Sequence, residues 1–205
     1  RHQFGLDLNA IHWVQAGVSQ PGRVEKVELA LPPGLTLERR PDTSLDAMLL
    51  SGELDAVLSA HPPPSFKAGD PRIVRLYPDA QPVEEAFFAQ TGIFPIMHAI
   101  AIRREVVDRF PWVCGNLLTA FEAAKSAAVA RAREFTASRL PFAWAQNAAE
   151  REAARLGGDP WPYGVAPNRV TLDAFCAWAH EQGVAHTRLQ PEDLFPPEVQ
   201  QAFRV

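Results

Sequence analysis

Apolar positions follow two different periods along this chain. Short β-branched and aromatic runs dominate its first ninety residues, and helical spacing dominates the rest. Ile11–Ala16 is an extended run that stops at Gly17, and Lys26–Leu31 and Leu35–Arg39 are further extended segments parted by Pro32, Pro33 and Gly34. Thr43 or Ser44 stands in position to cap a helix over Leu45–Gly52, whose leucines and methionine recur at helical spacing, and Gly52 supplies a left-handed stop. Asp55–Ala60 then reads as a buried strand. Helix, glycine, acidic residue and buried strand in that order form a βαβ-type pattern, which predicts a mostly parallel sheet. Pro62, Pro63 and Pro64 predict a stiff extended exit, and Arg72–Tyr77 is the next extended segment.

The pattern changes after an acidic turn. Thr91-Gly-Ile-Phe-Pro-Ile-Met-His98 joins a glycine and a proline to an apolar run continuing to Arg104, a kinked crossing strand with a histidine in it. Pro111 opens a helix over Trp112–Phe135 with Cys114, Leu117, Leu118, Phe121 and Ala128 on one stripe. Glu150–Leu156 ends another helix at Gly157 and Gly158. Thr171 is expected to cap a third, with Leu172, Phe175, Cys176 and Ala179 inward and Gly183 as its end. Pro191–Pro197 predicts short turns. The switch of period places a boundary within 78–95: residues 1–90 form an α/β lobe, and residues 91–205 are mainly helical with one crossing strand.

With 205 residues and 47% hydrophobic content, the chain has ample material for packed cores. A net charge of −4 with interspersed signs offers no basic run to track a phosphate backbone, so nucleic acid is not an expected partner. No apolar run reaches the roughly 18 residues of a spanning helix, so membrane insertion is not expected. The opening residues do not read as a secretory signal, and the initial arginine implies sequence upstream. Cys114 and Cys176 fall on apolar helix faces, where cysteine behaves as a small hydrophobe. The six histidines show no local ligand spacing, so no metal centre is expected; the sequence names no cofactor.

Ile11–Gln15 with Gly17, Met48–Ala56, Thr91–His98, Arg103 with Arg104, Pro111 with Trp112, Ala120–Lys125, Trp161-Pro-Tyr-Gly164, Asn168 with Arg169, and Leu194 with Phe195 together resemble the 4,5-dihydroxyphthalate decarboxylase family. Of these, Thr91–His98 and Trp161–Gly164 are the specific blocks; Met48–Ala56 recurs more widely. The resemblance implies a type II periplasmic-binding-protein-like α/β fold of two lobes with mixed sheets. Residues 1–90 would be the second, inserted lobe and 91–205 the return to a first lobe whose amino-terminal part is missing. It further implies decarboxylation of an aromatic dicarboxylate in the cytoplasm. The alternative on the same fold is a periplasmic solute-binding protein carrying an aromatic or sulfonated anion to an ABC-type transporter. The family pattern would place an arginine where His61 stands.

Decarboxylating an aromatic acid calls for a general acid to protonate the ring carbon, a base to take a phenolic proton, and a cation to hold the carboxylate that stays. His98, at the mouth of the crossing strand, is the first candidate for acid or base, and His61, just beyond a predicted strand end, is the second. Either could equally be a structural histidine. His12, flanked by Ile11 and Trp13, reads as structural. Arg169 is the candidate clamp for a carboxylate, against the alternative of a surface ion pair; Arg103 and Arg104 read as a solvated pair. Tyr163 has a phenol suited to hydrogen-bonding a catechol, against the equal alternative of a packed aromatic turn over Trp161–Tyr163; Thr91 and Gly92 would offer hydroxyl and backbone donors, unless Gly92 serves only backbone freedom. The expected partner is a small aromatic carboxylate, with homo-oligomer formation left open.

Overall fold

In the computed structural model, which describes residues 2–23, 29–137 and 139–200, strand β1 (Trp13–Gly17) pairs in parallel with β2 (Leu37–Ser44). Trp13 lies opposite Leu37, and an irregularity after Gln15 resets the register so that Gly17 meets Ser44. A Cβ on Gly17 would stand 2.1 Å from the Gln20 carbonyl oxygen, so the tight path leaving β1 needs a glycine. The partly buried Trp13 indole donates to the Leu8 carbonyl at 3.0 Å, which satisfies its N–H.

Helix α1 (Leu45–Ser51) begins and ends as its sequence predicts. The Ser44 hydroxyl accepts from the Ala47 N–H at 3.2 Å, and Gly52 closes the helix at φ +78°. Met48, 2% exposed, is the helix's buried anchor. Asp46 on the same helix accepts from both the backbone N–H (3.1 Å) and the hydroxyl (2.5 Å) of Ser65, tying α1 to the single turn of α2 (Pro64–Lys67). Pro64 thus starts a helix, as its fixed φ allows, rather than completing an extended exit. Helix α3 (Ala80–Thr91) occupies the stretch expected as a boundary; Pro82 sits in its first turn, and Gln81 donates to Glu85 one turn on at 2.7 Å.

The expected strands divide by whether they found a partner. Leu35–Arg39 became β2, which starts at Leu37 and runs on to Ser44. Of Lys26–Leu31, residues 26–28 lie outside the described residues, and the remainder carries no regular structure. Asp55–Ala60 and Arg72–Tyr77 are not strands: Leu58 is 86% and Leu76 85% exposed. The crossing strand expected after Thr91 is likewise absent, since residues 92–103 carry no regular structure and Met97 is 74% exposed. A strand is held by its ladder neighbour and the layer that covers it, and among the described residues the sheet consists of β1 and β2 alone, so mixed sheets are not observed.

Contacts separate the chain into two compact units, Arg1–Thr91 with Trp178–Thr187, and Gly92–Ala177 with Arg188–Val205. The second holds α4 (Arg104–Arg109), α5 (Val113–Arg133), α6 (Ala145–Arg155), most of α7 (Arg169–Glu181) and the short α8 (Pro191–Leu194). Helices α5 and α6 pack together; Cys114 and Leu118 of α5 and Ala153 of α6 are buried, while Phe121 and Ala128 of the expected stripe remain exposed. Gly157 and Gly158, both at positive φ, end α6, with the Gly158 N–H donating to the Ala153 carbonyl at 2.7 Å.

Helix α7 starts at Arg169, three residues earlier than expected, after a 3₁₀ turn over Ala166–Asn168. Thr171 therefore lies inside the helix rather than capping it, and its hydroxyl accepts from the Phe94 N–H at 3.1 Å. Leu172 and Cys176 are buried, whereas Phe175 points outward. Both cysteines are buried free thiols. Among the described residues, no helix is long and apolar enough to cross a membrane.

Candidate functional site

Four of the sequence blocks singled out above meet in the second unit, around Lys125. Helix α5 sets Glu122 and Lys125 three residues apart on one face. The glycine-closed turn after α6 brings Asp159 and Trp161 to the same place. Lys125 Nζ lies 2.6 Å from Glu122 Oε2 and 2.7 Å from Asp159 Oδ2, and donates to the Trp161 carbonyl at 3.0 Å. It also sits 4.8 Å from the centre of the Tyr163 ring, a cation–π contact. Burial works to lower the Lys125 pKa, but hydrogen bonds to Asp159 and Glu122, with their charges, outweigh it and hold the ammonium above the ordinary lysine value.

The turn carrying Tyr163 is fixed from other sides as well. Asn168 Nδ2 donates to the Pro162 carbonyl at 2.6 Å and the Gly164 carbonyl at 2.8 Å. Phe94 meets Trp161 edge to face, with centroids 5.4 Å apart at 78°, and Phe121 lies 6.5 Å from Tyr163. Thus Phe94, α5, the Trp161–Gly164 turn and the start of α7 form one connected cluster. Sequence reasoning quoted Lys125 only as the end of a matching block. Its spacing from Glu122 was visible, but Asp159, 34 residues away, could be found only in three dimensions.

Arg169 opens α7 and is engaged by two carboxylates. Glu192 on α8 takes it in a two-pronged ion pair, with Nη1 to Oε2 at 3.1 Å and a second, shorter contact from Nη2 to Oε1; Asp173 lies one turn along α7 at 3.5 Å. The hydrogen bond from Arg169 holds the Glu192 carboxyl below its usual range. Beside this network, Asp173, Cys176, Ala177, Arg188, Leu189 and Gln190 line a hollow of about 220 Å³. That is smaller than the roughly 300–1,000 Å³ of ordinary ligand clefts. Desolvation, reinforced by the charges of Asp173, Asp193 and Glu192, raises the Cys176 thiol pKa, so the group stays protonated.

The remaining predicted residues are dispersed. Thr91 ends α3 in the first unit and donates its hydroxyl to the Phe87 carbonyl at 2.7 Å. Gly92 opens the second unit at φ +69°; a Cβ there would rest 3.7 Å from Val170, so backbone conformation rather than space calls for glycine. His98 is exposed on the irregular 92–103 segment. His61 is exposed in the first unit, its backbone N–H donating to the Ser59 hydroxyl at 3.2 Å. His12 Nε2 lies 2.9 Å from a Glu38 carboxylate oxygen, and Arg103 pairs with Glu105 at 2.8 Å, both at the surface.

No family model matches the chain. A 4,5-dihydroxyphthalate decarboxylase of Comamonas testosteroni, however, is 31% identical over 204 residues, 99% of this chain and 62% of the relative. Nearly the whole chain is similar to part of that decarboxylase. A second decarboxylase of that name, from Pseudomonas putida, is 42% identical over 78 residues, 38% of this chain and 30% of that protein. The chain therefore spans about three fifths of the length of the Comamonas decarboxylase it matches. The alignment takes in both units and every block quoted from the sequence.

Proposed function

We propose that the protein containing this chain decarboxylates an aromatic dicarboxylate such as 4,5-dihydroxyphthalate, giving 3,4-dihydroxybenzoate and CO₂. The observation that carries this is the alignment with a decarboxylase of that name along 99% of the chain. That both named relatives are decarboxylases favours the enzyme over the transporter reading. The reaction is assigned to the cytoplasm on the same basis, and the fold to a two-lobed, type II periplasmic-binding-protein-like architecture. Residues 1–90 are assigned to an inserted lobe and 91–205 to the return; the division between Thr91 and Gly92 is in keeping with that assignment.

The chemistry follows from the substrate. Each ring carboxylate of 4,5-dihydroxyphthalate has a hydroxyl para to it. A base removes that phenolic proton while an acid protonates the carbon bearing the carboxylate, so the ring becomes a dienone. Breaking the C–C bond then releases CO₂, and its electron pair restores the aromatic ring. His98 is proposed as the acid or base, with His61 as the second such group; both are exposed and able to meet solvent protons. Tyr163 is proposed to bond a ring hydroxyl, and Thr91 and Gly92 to supply further donors. Arg169 holds the retained carboxylate on this proposal, which requires that carboxylate to displace Glu192 from its two-pronged pair.

Incubating the full-length protein that contains this sequence with 4,5-dihydroxyphthalate should yield CO₂ and 3,4-dihydroxybenzoate in equal amounts by chromatography and gas trapping. Tight binding with no CO₂ release would refute the enzyme reading.

A further inference from the structure

We propose that Lys125 is a positioning residue, which orients Tyr163 toward the substrate by fastening the Trp161–Gly164 turn to helix α5. The proposal rests on the decarboxylase reading and on the contact assigned there to Tyr163. It is carried by geometry. The ammonium has three donors, and each has a use: Glu122 on its own helix, Asp159 before the turn, and the Trp161 carbonyl within it. The face of Tyr163 rests against the same ammonium at 4.8 Å. One cation thus touches the helix, the entry to the turn, its backbone and its functional ring.

The charge count shows why the role is positioning rather than substrate capture. Lys125 is matched by two carboxylates, so the cluster carries a net charge of −1, and an anionic substrate gains nothing by approaching it. Its side chain is only 11% exposed, so there is little room for a ligand to replace those partners. Tyr163 and Trp161, by contrast, present open ring surface.

The test is a double-mutant cycle in the full-length protein, read on kcat, KM and the Kd for 4,5-dihydroxyphthalate. Lys125→Met should raise KM and lower kcat/KM on the order of 100-fold, the scale expected when a group is misplaced by an ångström. In a Tyr163→Ala background, Lys125→Met should cost about tenfold less than it does alone, because the group it positions is already gone. Asp159→Ala, which leaves Lys125 paired with Glu122 and does not depend on the folding of Lys125→Met, should reproduce part of the KM rise. Asp159→Asn keeps an acceptor for the ammonium and should restore most of the loss. Additive effects of Lys125→Met and Tyr163→Ala, or an unchanged KM in both Lys125→Met and Asp159→Ala, would overturn the proposal while leaving the decarboxylase reading intact. A wild-type protein that neither binds nor decarboxylates the compound would defeat both.

Discussion

Val165 keeps 1% of its surface and lies two residues past Tyr163, so truncating it probes the packing on which the Trp161–Gly164 turn stands. Its backbone N–H donates to the Val199 carbonyl at 3.1 Å, joining the turn to the carboxy-terminal segment. Val165→Ala removes two methyl groups, about 1.6 kcal/mol at ~0.8 kcal/mol each. A residual cavity of about 40 Å³ would add about 1 kcal/mol at ~24 cal/mol per Å³. The expected loss is about 2.5 kcal/mol, and in a unit of about a hundred residues that corresponds to a fall in Tm of roughly 10–20 °C. Urea unfolding followed by circular dichroism measures it directly. Val170→Ala is the internal comparison: its side chain is 54% exposed, so the change should stay within about 0.5 kcal/mol. Equal costs for the two substitutions would refute the claim that Val165 lies in a close-packed core.

Gly183→Ala should be among the most damaging single-methyl additions. The residue sits at φ +74°, its new Cβ would stand 1.8 Å from the Ala30 carbonyl oxygen, and the Ala30 N–H to Gly183 carbonyl bond of 3.0 Å would be displaced. A thermal melt indistinguishable from wild type would contradict that. Ser44→Ala should cost about 1 kcal/mol by loss of the α1 cap, measurable by urea unfolding, and Ser44→Asn should recover most of it. Hydrogen bonds from the Arg72 side chain and then its backbone N–H hold the Asp70 carboxyl at about 2. Because this folded value is depressed, the stabilisation is fully present above the ordinary aspartate pKa of about 3.9 and is lost as pH falls through about 2. Asp70→Asn should flatten the melting temperature over that window, and a carboxyl NMR titration of Asp70 near 4 would exclude the pairing.

What the sequence made legible was local. Ser44 and Gly52 bracket α1, and Gly157, Gly158 and Gly183 end helices, because a cap or a left-handed residue acts on groups within one turn of itself. Thr171 misled for the same reason: a threonine before an apolar run reads as a cap, but its hydroxyl is used by Phe94, 77 residues away. Helix α3 lies in the stretch read as an acidic turn and a boundary; its Pro82 sits in the first turn, where proline is tolerated. The cluster at Lys125 was legible only in pieces. Its blocks could be quoted, but that they meet depends on the packing of α5 against α6 and on the path of the turn after Gly158.

The strands that did not form pose a different question, because their apolar pattern is sound. A monomer of this mass ordinarily exposes about 9,500 Å², and two separate bodies of half the mass would expose about 11,500 Å². This chain exposes 15,184 Å². Part of that surface is apolar side chain on the three segments around Leu58, Leu76 and Met97, the first of which was expected to be a buried strand. None of the three segments pairs with a strand among the described residues, and the Comamonas decarboxylase has length beyond the 62% matched here. Whether such length covers them is testable at Leu58, which is 86% exposed. In the 205-residue chain, Leu58→Glu should shift stability by no more than about 0.5 kcal/mol, as at any open surface site. In the full-length protein, if that segment is a buried strand, the same carboxylate must be desolvated without a partner, and the cost should rise to about 3 kcal/mol or more. Equal small effects in both would mean that these segments are exposed loops in their own right, and their apolar pattern would then need a partner protein to explain it.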